Sequence, residues 1–199
     1  MPKDDNNEEI DDNSILCKRK NPLLFLENVL PVEKCEDVPS NYIPVHLCMK
    51  TKIVYNTTIP THGDHRPLWP VYGDYQYVPP QRWLHTVEHG GVVMLYHPCT
   101  HPIIVKQLKS LVTRCIRKHV ITPHRLLPLE RPLALVAWGC KLLMNHVEKS
   151  TVVNFIKTRA LHGPEGNYTK EGQYSLGLID KAEPPLGSDE KDSHLCPGW

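Results

Sequence analysis

The sequence predicts an α+β domain: a small β-sheet with packed helices, preceded by a Pro/His-rich ordered loop. Three observations carry this reading. Val92–Tyr96 (VVMLY) and Leu133–Trp138 (LALVAW) are short, unbroken apolar runs of the length and composition of buried strands. Segments with a 3.6-residue apolar period lie between and after them, as amphipathic helices require. The chain is 40% hydrophobic over 199 residues, enough for one core, and shows neither an internal repeat nor a second core pattern.

In chain order, residues 1–16 have the composition of a disordered acidic tail, with six acids against Lys3. Residues 17–50 read as an irregular Cys-containing lead-in, broken by Pro31, Pro39 and Pro44 and holding Cys17, Cys35 and Cys48. A single α+β domain is expected over 51–165. Within it, Lys52–Tyr55 has the look of a short strand. The Pro- and His-rich stretch Ile59–Pro80 reads as an ordered loop, because Pro fixes φ and cannot donate to a ladder. Its aromatics Trp69, Tyr72, Tyr75 and Tyr77, with Trp83 just beyond, read as packing.

Gln81–His89, between Pro79-Pro80 and Gly90-Gly91, is a two-turn helix by its start and stop signals. Val92–Tyr96 follows as a strand ending before Pro98. The best helix is His101–Val120, with a stripe of Ile104, Leu108, Leu111, Val112, Cys115 and Ile116 and most of its basic residues elsewhere around it. Leu133–Trp138 is the second buried strand, with Lys141–Met144 as its partner or continuation. Ser150–Leu161 closes the domain as a helix capped by Ser150 and stopped by Gly163, its Val152, Val153 and Ile156 facing inward. Residues 166–199 return to Gly, Pro and charge, an irregular C-terminal tail.

The formal charge is +1, and from Cys17 onward 22 basic face 16 acidic side chains. That excess is mild and no nucleic-acid motif accompanies it, so no nucleic-acid partner is predicted. No run reaches the roughly 18 apolar residues of a membrane span, so no membrane anchor is expected in this chain; the acidic N-terminus is unlike a signal peptide. Two sequons, at Asn56 and Asn167, are candidate glycosylation sites, where roughly one is expected by chance. Seven cysteines without a C-x-x-C pair make disulfides plausible and leave one thiol over. Together these point to an extracellular, lumenal or membrane-associated setting, the last through a segment absent here; a cytoplasmic protein with reduced thiols is the alternative. There is no P-loop, no dinucleotide glycine fingerprint and no G-x-S-x-G elbow, so the common nucleotide and serine-hydrolase readings lose support.

Chemistry concentrates in histidine. Of twelve, six (His62, His65, His85, His89, His97, His101) fall within forty positions. Imidazole is the commonest side-chain metal ligand. On a helix His85 and His89 are one turn apart on one face, with Glu88 beside them as ligand, orienting group or general base. His85-x-x-Glu88-His89 also matches a zinc-peptidase pattern, in which Glu88 activates water and Glu148 or Glu165 completes the shell. That metal-dependent hydrolase is the alternative reading, weakened because Gly90-Gly91 ends the helix at once. The plain structural reading has the same histidines bonding loop carbonyls and Glu88 pairing with Arg66 or Arg82. Cys99, between His97 and His101, is read as buried or disulfide-bonded.

Pro60-Thr61-His62-Gly63-Asp64-His65-Arg66-Pro67, Tyr72-Gly73-Asp74-Tyr75 and His85-Thr86-Val87-Glu88-His89-Gly90-Gly91-Val92-Val93 together resemble the domain of unknown function 3105 family. Ala137-Trp138-Gly139, Phe155-Ile156 and Gly163-Pro164-Glu165 fit it as well, so the likeness runs from about Tyr55 to Glu165. It implies that His65, His85 and His89 are the family's histidines; the His cluster itself makes a transition metal (zinc or copper) the candidate cofactor. The likeness implies no agreed reaction. Its animal form is a single-pass membrane protein linked to growth suppression, a link that implies no mechanism; function through protein partners of unknown identity is expected because the His65, His85 and His89 set comes without a convincing nucleophile.

Overall fold

A computed structural model describes residues 29–199 apart from 167 and 169. The acidic tail at 1–16, Cys17 and the sequon at Asn167 lie outside the described residues.

The fold is α+β. Its centre is β3 (Val92–Tyr96) paired antiparallel with β5 (Leu133–Ala137), the two runs expected to be buried strands. β5 turns at Trp138-Gly139 into antiparallel β6 (Cys140–Met144), with Gly139 at φ +71°. On the other side β3 pairs in parallel with β4 (His119–Pro123), reached through the crossover helix α2 (Pro102–Thr113). β1 (Val32–Cys35), β2 (Gly73–Tyr75) and β7 (Leu178–Lys181) complete a seven-stranded mixed sheet of order β1-β6-β5-β3-β4-β2-β7.

Helices cover both faces, which is why these strands are apolar throughout and do not alternate. Val92, Met94, Leu133 and Leu135 point to α2 (Leu108, Val112) and to α3, Lys149–Arg159 (Val152, Phe155, Ile156). Val93, Leu95, Ala134 and Val136 point to the opposite face, against Trp83, Leu84 and Val87 of α1 (Pro80–Glu88) and against Tyr75 of the loop. The site is built on this second face.

Four expectations change. The helix expected over His101–Val120 ends at Thr113. Cys115 and Ile116 still pack in the same core, but from a turn held by the Cys115–Cys196 disulfide. The Asp192 carboxylate then accepts the backbone N–H groups of Arg117 and Lys118 at 2.5 and 2.9 Å, and the chain leaves as β4. Lys52–Tyr55 forms no strand; Ile53 is buried and the Tyr55 hydroxyl donates to the Asp64 carbonyl at 2.7 Å. A strand appears instead at Gly73–Tyr75, inside the Pro-rich stretch. There β7 approaches so closely that a Cβ on Gly73 would lie 2.2 Å from the Asp180 carbonyl oxygen. The cap of α3 is Glu148, whose carboxylate accepts from Ser150 Oγ at 2.9 Å and Thr151 Oγ1 at 2.7 Å.

The edge strands β1 and β7 come from the stretches read as irregular, so the sheet extends beyond 51–165 at both ends. Cys35–Cys140 ties β1 to β6 across 105 residues, and Cys115–Cys196 spans 81. Loop closures of that length stabilise by roughly 4–5 kcal/mol each in the chain-entropy account. Cys99 is disulfide-bonded as well, while Cys48 is exposed and free among the described residues. No helix of the described residues is long and apolar enough to cross a membrane. Alkylation of the native, unreduced protein followed by peptide mass mapping is expected to mark Cys48 and spare Cys35, Cys115, Cys140 and Cys196. Marking of those four would contradict the pairing.

Candidate metal centre

Pro79 and Pro80 start α1, and every residue from Gln81 to Glu88 is buried, so its polar side chains face protein and not water. Gly90-Gly91 ends it for steric reasons. Gly90 adopts φ +77°, and a Cβ on Gly91 would lie 2.7 Å from the Thr86 methyl and 2.8 Å from the Lys118 carbonyl oxygen. His85 and Glu88, three residues apart, share the helix face turned to the loop. The loop supplies His65, fully buried, and a parallel bridge places His46 beside it.

These four side chains converge. Glu88 Oε2 lies 2.9 Å from His65 Nε2, 3.5 Å from His46 Nε2 and 3.8 Å from His85 Nε2. One ligand atom from each of the four lies within 4.8 Å of every other. The His46 and His85 rings stack, with centroids 4.5 Å apart.

Backbone carbonyls fix which nitrogens point inward. His65 Nδ1 donates to the Gly63 carbonyl and His85 Nδ1 to the Arg66 carbonyl, both at 2.8 Å. A carbonyl only accepts, so each Nδ1 carries a proton and each ring turns its Nε2 toward Glu88. Burial holds His85 neutral, lowering its pKa to about 3, with the hydrogen bond to the Arg66 carbonyl opposing and the neighbouring histidines adding to the drop. Burial pushes the Glu88 carboxyl up, but the hydrogen bond from His65 and the charge of its imidazole neighbours outweigh that and hold it below its ordinary value. With His85 neutral, His65 is the main source of that stabilisation. An ionised carboxylate thus faces the Nε2 atoms of the imidazoles, with Glu88, His65 and His85 out of water and His46 at the edge. The arrangement calls for a cation, either a proton on His65 or a metal ion bound by all four. Three imidazole nitrogens and one carboxylate oxygen suit zinc or copper, with the two backbone carbonyls orienting the ligands.

Of the expected ligands, His65 and His85 meet; the His89 ring lies 4.7 Å from that of His85, but neither of its nitrogens is among the four converging ligand atoms. It is 1% exposed, stacked on Trp69 at 4.5 Å with Tyr168 against its edge, and neither ring nitrogen has a hydrogen-bond partner. The Glu165 carboxylate is 3.5 Å from Nε2, within reach of an ion pair, but burial lowers the ring pKa to about 4, so the contact joins a neutral ring. Glu148 belongs to the α3 cap. His62 lies 3.1 Å from Glu36, His97 accepts from Cys99 N and His101 caps α2. Arg66 and Arg82 bond carbonyls and do not pair with Glu88, and the Asn56 sequon is exposed. His46 was not foreseen. It sits in no motif, and backbone pairing with His65 places it at the site.

The fold and this cluster define an α+β domain with a cluster of three imidazoles and one carboxylate, buried except for His46. The chain belongs to the family described as protein of unknown function (DUF3105), which matches residues 46–172 and so begins at His46. Two curated relatives are named tumor protein p53-inducible protein 13. The one from Rattus norvegicus is 37% identical over 67 residues, 34% of this chain, and the one from Mus musculus 36% over 97 residues, 45% of this chain. The matched stretches span only 17% and 23% of those relatives' own length. No solved structure matches the chain.

A buried ring without partners is replaceable by an apolar one. In metal-free protein, His89→Phe is expected to leave stability at pH 7 unchanged or raise it by about 1 kcal/mol, measured by denaturant unfolding. The folded-state pKa of His89 is depressed, so wild type loses stability as pH falls from 6.5 toward 4, where only the unfolded chain takes the proton. The variant is expected to lose on the order of 2–3 kcal/mol less over that window. A variant destabilised at pH 7 with an unchanged acid slope would contradict this account.

Proposed function

We propose that this chain is an extracellular or lumenal, non-catalytic domain that binds one transition-metal ion, zinc or copper, through His46, His65, His85 and Glu88. It acts through protein partners. The observation that carries the reading is the pair of Nδ1–H···O=C bonds to Gly63 and Arg66, which aim two Nε2 atoms at one ionised carboxylate. A merely structural histidine has no need of a second ring, fixed in the same tautomer, at the same point.

The disulfides Cys35–Cys140 and Cys115–Cys196 support an oxidising compartment, and exposed Asn56 is an accessible glycosylation acceptor there. Likeness to p53-inducible proteins supports a p53-responsive setting, and growth suppression is part of the same proposal.

The hydrolase alternative needs His85 and His89 to share a metal while Glu88 stays free as base. Glu88 Oε2 at 2.9 Å from His65 Nε2 and the His89 ring stacked on Trp69 both favour Glu88 as a ligand.

Elemental analysis after zinc loading and removal of excess is expected to give one equivalent in wild type and in His89→Phe. His85→Ala and Glu88→Gln are each expected to bind at least about 10-fold more weakly while remaining folded. Absence of stoichiometric metal in wild type, or full retention in His85→Ala, would overturn the proposal. Peptide hydrolysis by loaded wild type, lost in Glu88→Gln, would favour the hydrolase.

A further inference from the structure

Three of the four proposed ligands are rigidly placed. His65, His85 and Glu88 have side chains exposed by 4% or less, on the packed loop and on α1. His46 differs, with a side chain 41% exposed on an irregular segment whose Val45 and Met49 are themselves exposed. Such a segment is mobile unless something holds it, and a ligand that wanders leaves a coordination position to water.

The residues on either side of His65 do the holding. Asp64 Oδ1 accepts the backbone N–H of Val45 at 2.8 Å. Arg66, fully buried, donates from Nη1 to the carbonyls of Leu47, Cys48 and Thr51 at 3.1, 2.7 and 2.9 Å. Between them the His65 backbone donates to the Val45 carbonyl and accepts from Leu47 N at 3.1 and 2.8 Å. Asp64-His65-Arg66 therefore grips the chain both before and after His46, and the grip points are backbone groups, so the position of the imidazole and not its chemistry is what is fixed.

We infer that Asp64 and Arg66 are positioning residues that clamp residues 45–51 so that His46 closes the metal site, giving a four-ligand centre with no position left for water or substrate. The inference rests on the metal reading above and decides between its two forms. A site closed by four protein ligands is structural or storage in kind, whereas a catalytic one keeps an open position. Releasing the clamp opens the site without touching a ligand.

The test uses cobalt(II) in place of the native ion, reading the visible d–d spectrum, affinity by competition with a chelator, and the response to azide, an exogenous ligand that needs a vacant or exchangeable position. Wild type is expected to give an intense tetrahedral spectrum that azide does not alter. His46→Ala is expected to bind cobalt about 10–100-fold more weakly and to become azide-sensitive. Asp64→Ala and Arg66→Met are expected to move the same way, and to add nothing further in a His46→Ala background. Arg66 is buried, so its replacement risks the fold; Asp64→Ala, at a half-buried side chain, then decides alone. Clamp variants with wild-type spectrum and affinity, or with losses that add to that of His46→Ala, would overturn the clamp and leave the metal reading standing. Wild type that binds no cobalt would overturn both.

Discussion

An ionised carboxylate buried on a helix is the constraint around which this domain is organised. Glu88 is out of water, and His85, three residues before it on the same helix, is held neutral by burial. Removing a carboxylate from water costs several kcal/mol unless hydrogen bonds or a cation replace its hydration. The chain answers by bringing a Pro-stiffened loop over α1, so that His65 lies 2.9 Å from the carboxylate, and by laying a second segment over the loop to add His46. The loop course and the parallel bridge between residues 46 and 65 bring both of those rings to that one oxygen.

The sheet supplies the rigid base. Because β3 and β5 are buried on both faces, α1 has a fixed apolar bed of Val93, Leu95 and Val136, against which Trp83, Leu84 and Val87 pack. With the helix locked, His85 and Glu88 have little rotational freedom, and the carbonyls of Gly63 and Arg66 remove what tautomeric freedom is left. Preorganisation of this kind is what a metal site needs, since ligand geometry is set before the ion arrives. The disulfides add to this by tying the outer strand β1 and the C-terminal segment to the same frame.

Local patterns were readable from residues that carry their own signal. The runs at 92–96 and 133–137 are apolar on both faces, and the short helix between Pro80 and Gly90 is bracketed by its own punctuation. His65, His85 and Glu88 were legible because they cluster in a stretch dense in histidine. What the sequence hides is long-range. The end of α2 depends on a carboxylate at position 192 and a disulfide to residue 196, β2 on a strand more than 100 residues away, and His46 on backbone pairing with a loop nineteen residues on. His89 shows how far helix spacing reaches: its ring does lie 4.7 Å from that of His85, yet it stacks on Trp69 and its nitrogens are not among the four converging ligand atoms.

X-ray absorption at the zinc edge of the loaded protein addresses the convergence most directly, because it reads the atoms around the ion without reference to activity. The account predicts a shell of light atoms with three imidazole nitrogens at about 2.0–2.1 Å, seen through ring multiple scattering, and one carboxylate oxygen at about 2.0–2.2 Å. A shell of oxygens without imidazole scattering, or sulfur at about 2.3 Å, would contradict it.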